Sequence, residues 1–235
     1  YNEIEIKTKN ARHFHYRTNK EESFSKTVNK IVNRLIGAEV IEQEKNRVLI
    51  KHLAKEEKED FRIILRRAML LLIETGDNLL EGIKNNDLTL ISTIEETHDN
   101  VNKFVSYCLR LLNKYGYPDV KKTCLYYHTI ASLDKILDIM KYNARDILRY
   151  KKKLDPKSIL IWEQLNKSLR MYYELFYKFS LDQVNELSKN RDFTKNMILK
   201  YMKRIPQEEL LLMNNMKQIL ELILDLVEFR MGLEY

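Results

Sequence analysis

The stretch ASLDKILDIMKYNARD, Ala131 to Asp146, carries two carboxylates four residues apart, and MKQILELILDLVEFR, Met216 to Arg230, is a near-copy of it. Laid over each other at a shift of 87 residues (221 less 134), Asp134 falls on Glu221 and Asp138 on Asp225, with leucine or isoleucine beside them in both. Acids at i and i+4 share one face of a helix. A proline stands ahead of each segment at nearly the same distance, Pro118 and Pro206, and suits the first position of a helix. The chain therefore reads as a duplicated helical unit.

Composition agrees with long helices and few turns. The chain has 235 residues with only 5 glycines and 3 prolines, where average usage of the two together is roughly 12%. Charged residues make up 32% and are mixed in sign, and hydrophobic residues 44%, which excludes a disordered chain. No run of about 18 apolar residues is present, so no transmembrane segment is expected. The net charge of +7 permits contact with nucleic acid or an anionic surface without requiring it. Cys108 and Cys124 lack CxxC or CxxH company and form no disulfide framework, which favours a reducing cytoplasm. The chain begins at Tyr1 and shows no signal peptide.

Working outward from the acidic stretch, residues 56–153 and 154–235 read as two three-helix units preceded by a small α/β segment, 1–55. In that segment Ile4 to Lys7 alternates as a strand. Ser23 to Leu35 has helical spacing closed by Gly37, and Val40 to Gln43 with Val48 to Leu53 flank a hairpin turn, giving β-α-β-β. The first long helix runs from Glu56 to about Lys84. The second runs from Leu88 to about Lys114 behind the cap Asp87, and the third from Pro118 to about Tyr150. After the basic connection Arg149 to Pro156, Asp155 and Pro156 open the fourth helix. Ser180 to Gln183 opens the fifth, to about Arg204, and Pro206 opens the sixth. Short connections make neighbours in each unit antiparallel, a mainly α fold of two tandem up-down three-helix bundles.

The middle helix of the first unit adds another acidic pair, Glu95 and Asp99. Aligning the caps Asp87 and Ser180, a shift of 93 (180 less 87), carries this pair onto Ser188 and Asp192. Like charges at i and i+4 cost a few tenths of a kcal/mol on an isolated helix. Hard cations relieve that repulsion, since carboxylate oxygens are their preferred ligands. A solvated helix face needs no such ligand set. On the sixth helix Leu212, Met216, Ile219, Ile223 and Leu226 form the apolar stripe and Glu221 and Asp225 point away from it. On the third helix Asp134 and Asp138 share their face with Lys141 and Arg145, which offer an alternative means of neutralising them.

The pairs Glu95 and Asp99, Asp134 and Asp138, and Glu221 and Asp225, recurring on the second and third helices of two tandem units, resemble the E/DxxxD signatures of the PhoU family of phosphate-uptake regulators. The likeness covers about Glu56 to Tyr235, and SLDKILDIMKYNARDI and RLIGAEVIEQ are most similar to archaeal members. What the resemblance implies is a cytoplasmic, homodimeric regulator of phosphate uptake and signalling, not an enzyme, acting through phosphate-transporter or sensor-kinase components. It also implies metal clusters of iron, manganese, zinc or magnesium on the bundle surface. Glu95, Asp99, Asp134 and Asp138 would form the first cluster, and Asp192, Glu221 and Asp225 the second. A second reading is the helical dimerisation or sensing part of a transcription regulator whose DNA-binding domain is missing from this chain, in which case nucleic acid is met only through that domain.

Other motifs carry less. His13 and His15 would lie on one side of a strand, with no third ligand near in sequence. Glu95 with His98 makes a single ExxH, and a di-iron bundle needs two with further glutamates. The 14 tyrosines fall at core-like helical spacing, and no Gly-rich phosphate loop or nucleophile elbow is visible.

Overall fold

The structure is a computed structural model that describes residues 2–15, 19–54, 60–150 and 152–235. The expected start of the first long helix at Glu56 and Lys151 of the basic connection lie outside these residues.

The amino-terminal segment contains β1 (Glu3–Lys7), β2 (Arg12–His15), β3 (Lys20–Ser23), α1 (Phe24–Val32), β4 (Ala38–Gln43) and β5 (Arg47–His52). β5 lies between β1 and β4 in an antiparallel sheet, with Ile4 opposite Ile50, Ile6 opposite Val48 and Val40 opposite Ile50. That register puts one apolar row on one face, where α1 closes a small core of Val28, Val32, Ala38, Val48 and Ile50. The expected β-α-β-β order is corrected by a hairpin, β2 with β3, inserted before the helix. Lys20–Ser23 has no apolar alternation and is a strand only because it pairs with Arg12–His15. Ser23 then caps α1, its hydroxyl accepting from the Lys26 N–H at 3.3 Å. α1 stops at Val32, earlier than expected. Gly37 is not its cap but turns the chain into β4 with φ +77°, where a Cβ would come within 2.6 Å of Ala54 and His52.

The remainder is helical: α2 (Asp60–Asn85), α3 (Leu88–Ser92), α4 (Ile94–Tyr115), α5 (Thr123–Tyr150), α6 (Pro156–Tyr177), α7 (Leu181–Tyr201) and α8 (Leu210–Glu234). Three boundaries differ from the sequence reading. The second long helix is broken at Thr93, where the Ser92 and Thr93 hydroxyls donate to the Thr89 and Leu90 carbonyls, both at 2.7 Å. Such side-chain bonds compete with the helical ladder. Pro118 and Pro206 do not open helices. Each is followed by a single 3-10 turn, Val120–Lys122 and Gln207–Glu209, before α5 and α8 begin. Both copies of the unit enter their last helix this way. Pro156, by contrast, does open α6, behind an Asp155 side chain that accepts from the Lys157 N–H at 2.8 Å.

α2, α4 and α5 pack as one unit and α6, α7 and α8 as the other, and the two meet through α2 against α6 and α5 against α8. A single hydrophobic core runs from Phe61 to Val227 through both units. Its centre holds Trp162, Leu165, Ile136, Met140, Ile219 and Ile223, all essentially inaccessible. Burying side chains of this size stabilises by about 1.5–3 kcal/mol each. Gly76, inside α2, is where α6 crosses it. The Trp162 indole N–H donates to the Gly76 carbonyl at 3.4 Å, and a Cβ there would meet Asn166 at 2.8 Å. Cys108 is buried on α4, while Cys124 is exposed at the start of α5. Tyr172 is buried in the same core. At its edge Phe61 meets Tyr117 and Tyr126 edge-on and the two tyrosines lie tilted against each other, with centroids 4.2 to 5.8 Å apart, so these tyrosines serve packing. No helix among the described residues is long and apolar enough to cross a membrane.

Candidate functional site

The acidic residues sit where helical periodicity puts them. Leu212, Met216, Ile219, Ile223 and Leu226 of α8 are buried, whereas Glu221 is half-buried and Asp225 exposed. On α5 the core takes Leu133, Ile136, Leu137 and Met140 and leaves Asp134 and Asp138 half-buried beside α4. The α4–α5 face gathers Glu95, His98, Asp99 and Asn102 from one helix with Asp134, Asp138, Lys141 and Arg145 from the other.

At its centre is His98, only 4% exposed. Its Nε2 is 2.9 Å from Asp138 Oδ1 and 2.9 Å from Lys141 Nζ, and Lys141 Nζ is itself 2.6 Å from Asp138 Oδ1. The other ring nitrogen, Nδ1, lies 3.3 Å from Asp99 Oδ1. Nε2 serves one neighbour at a time: carrying its proton it donates to Asp138, and without it it accepts from Lys141 while Nδ1–H donates to Asp99. Arg145 forms a two-pronged pair with Glu95 across the helices, one prong at 2.8 Å. Arg34, beyond the end of α1, donates to Asp99 Oδ2 at 2.8 Å and so ties the amino-terminal segment to the same face.

These partners set the titration of the acids. The Arg145 hydrogen bonds hold Glu95 below the usual glutamate range. For Asp138 burial works against ionisation, but the bonds from Lys141 and His98 outweigh it and hold the group low. Asp134 moves the other way, pushed up first by burial and then by the Asp138 charge.

The second face pairs α7 with α8. Arg191 reaches Asp192 at 2.9 Å and also bonds Glu221, and Lys195 lies 3.7 Å from Glu221. Burial opposes the Glu221 charge, yet Arg191 and Lys195 hold it below its ordinary value. Ser188, where the first unit has Glu95, is half-buried on α7.

As arranged, these side chains do not fit a metal cluster. Among the described residues no group of three or more His, Cys, Asp or Glu converges closely enough to hold an ion. Lys141 Nζ lies between Asp138 and His98, 2.6 and 2.9 Å from them. The sequence reading foresaw Lys141 and Arg145 as neutralising groups, but assigned both to Asp134 and Asp138. Arg145 instead crosses to Glu95. His98, Arg34 and Arg191 were missed as members of these faces. For His98 a signal existed, since it lies four residues from the buried Ile94 and three from the buried Val101 on the α4 stripe.

Two other features stand apart. His13 and His15 do lie on one side of β2, turned inward while Arg12 and Phe14 are exposed, and the His13 ring bonds the Thr27 hydroxyl at 3.0 Å. A cavity of about 340 Å³ opens between Phe61, Arg62, Leu111, Leu112, Tyr117 and Pro118, at the far end of α4 from Glu95.

The tandem helical layout is similar to that of PhoU proteins of known structure. The fold resembles the crystal structure of the phosphate transport system regulatory protein PhoU from Streptococcus pneumoniae with a TM-score of 0.63 and 14% identity, covering 75% of this chain and 94% of that one. It also resembles PhoU from Pseudomonas aeruginosa, with a TM-score of 0.58 and 16% identity over 73% of this chain and 94% of that chain. No family model and no curated protein sequence matches the chain. At these identities the likeness establishes a PhoU-like fold.

Proposed function

We propose that this chain is a PhoU-like regulator of phosphate uptake and phosphate signalling, acting in the cytoplasm through protein partners and not as an enzyme. The observation that carries the reading is the tandem three-helix architecture, shared over most of its length with a protein described as a phosphate transport system regulator. Fold alone does not fix function, so the repeated acidic faces matter as a second support: they recur at equivalent helices in both units. The partners are phosphate-transporter or sensor-kinase components, and the working form is a homodimer. Neither structural neighbour favours the alternative of a transcription regulator's sensing part.

Deletion of the gene in its own host tests the proposal. Phosphate uptake in phosphate-replete medium is expected to lose its restraint and to regain it when the chain is supplied in trans. Unchanged uptake and unchanged expression of the transporter in the deletion strain would refute it. Light scattering of the purified chain checks the dimer, expected at twice the 28.3 kDa of one chain.

A further inference from the structure

We infer that Glu95, Asp99 and Asp138 on the first face and Asp192 and Glu221 on the second are paired with the chain's own cations in place of metal ions, so that the bundle folds and stays folded without bound metal. The first face has three such cations. Lys141 bridges Asp138 and His98 at 2.6 and 2.9 Å, Arg145 clasps Glu95 with two bonds, and Arg34 reaches Asp99 at 2.8 Å. The second has Arg191 between Asp192 and Glu221, with Lys195 beside Glu221. Two of the cations are part of the packing. The Lys141 side chain is 11% exposed and that of Arg191 15%, and long side chains are held at such burial only when their charge is met.

The two units reach this result by different residues. Under the 93-residue shift Arg191 falls on His98 and Lys195 on Asn102. In the second unit the cations therefore come from the middle helix, α7. In the first unit that helix supplies a histidine, and the cations come from the last helix, α5. Under the 87-residue shift Lys141 falls on Glu228 and Arg145 on Gly232, so the last helix of the second unit carries no counterpart. Duplication of one unit cannot have copied both solutions. Each face acquired its own internal counter-charges, which is what a requirement for neutrality without an external ion would select.

The test begins with the intact wild-type chain, purified without chelators from medium supplemented with iron, manganese, zinc and magnesium. Elemental analysis is expected to find far less than one ion per chain, and millimolar manganese or zinc to leave the melting temperature unchanged. A Lys141→Met and Arg145→Met double variant then exposes uncompensated acids beside His98. Without metal its melting temperature is expected to fall, and manganese or zinc is expected to raise it again with stoichiometric uptake, as binding to the folded state alone requires. Wild-type protein that retains a stoichiometric ion overturns the inference. So does a folded double variant that takes up none, because the acids would then be no latent ion site. If the double variant does not fold, Arg34→Met, which removes an exposed cation from Asp99, replaces it under the same criteria. None of these readouts depends on phosphate regulation.

Discussion

Glu209 ends the 3-10 turn before α8 and is 2% exposed, an unusual place for a carboxylate. It accepts from the Asp155 N–H at 3.1 Å and from the Ser158 hydroxyl, both at the start of α6. A side chain that introduces the sixth long helix thereby caps the fourth. Replacing Glu209 by alanine leaves the Ser158 hydroxyl buried without its acceptor, removes a negative charge from a helix amino terminus and vacates a packed space. Hydrogen bonds to charged groups contribute about 1.5–3 kcal/mol, the helix-end charge about 0.3–1 kcal/mol, and the desolvation relieved on removing the carboxylate offsets part of both. The expected loss is about 2–4 kcal/mol, or about 4–16 °C in melting temperature for a chain of this size. Glu209→Gln keeps the shape and one acceptor and is expected to lose about half as much. The assay is thermal and urea unfolding followed by circular dichroism, with Ser158→Ala completing a double-mutant cycle. A coupling energy of about 1 kcal/mol or more is expected for residues sharing one hydrogen bond. A Glu209→Ala loss below about 0.5 kcal/mol, the range of ordinary surface substitutions, would refute the assignment of Glu209 as the clamp between the two helix starts.

Asp134→Asn is expected to stabilise the chain at neutral pH. The folded state raises this group above its ordinary 3.8, so its ionisation costs stability as pH rises through that interval, and the gain should vanish in melts well below pH 3.8. A ligand role would give the opposite sign at pH 7. Glu95→Gln is expected to cost a small amount, about 1 kcal/mol or less because the pair is half-exposed. That cost should be present above the ordinary 4.5 and disappear as pH falls through the depressed folded value, as unfolding curves against pH will show. Thiol labelling should be biphasic: Cys124 reacts at once, while Cys108, buried and pushed up to about 12 by desolvation, reacts only when the bundle opens. Two fast thiols in native protein would contradict the α4 packing.

The helices were legible because their stripes are strict and their caps explicit. Asp155 with Pro156, and Ser180 with Gln183, mark their boundaries in the sequence and hold them in the structure. The outward placement of the acids followed from the same periodicity. What the sequence concealed was whatever depends on partners far along the chain. The β3 strand exists through pairing, Arg34 meets Asp99 only once the amino-terminal segment has docked, and Arg145 chose Glu95 on another helix over the acids of its own face. The helix break at Thr93 was within reach, since Ser92 and Thr93 adjoin and hydroxyl groups compete for backbone carbonyls. Pro118 and Pro206 misled for one shared reason: a first-turn proline needs a capping residue before it, which Asp155 supplies to Pro156 but Tyr117 and Ile205 do not supply to the other two.

The two units meet through equivalent elements. α2 and α6 are the first helices of their units and lie against each other, as do α5 and α8, the last of theirs. Equivalent elements touching equivalent elements is the signature of two-fold self-association. The interior of this single chain is thus laid out as a dimer interface is, with each unit offering its first and last helices to the same helices of the other.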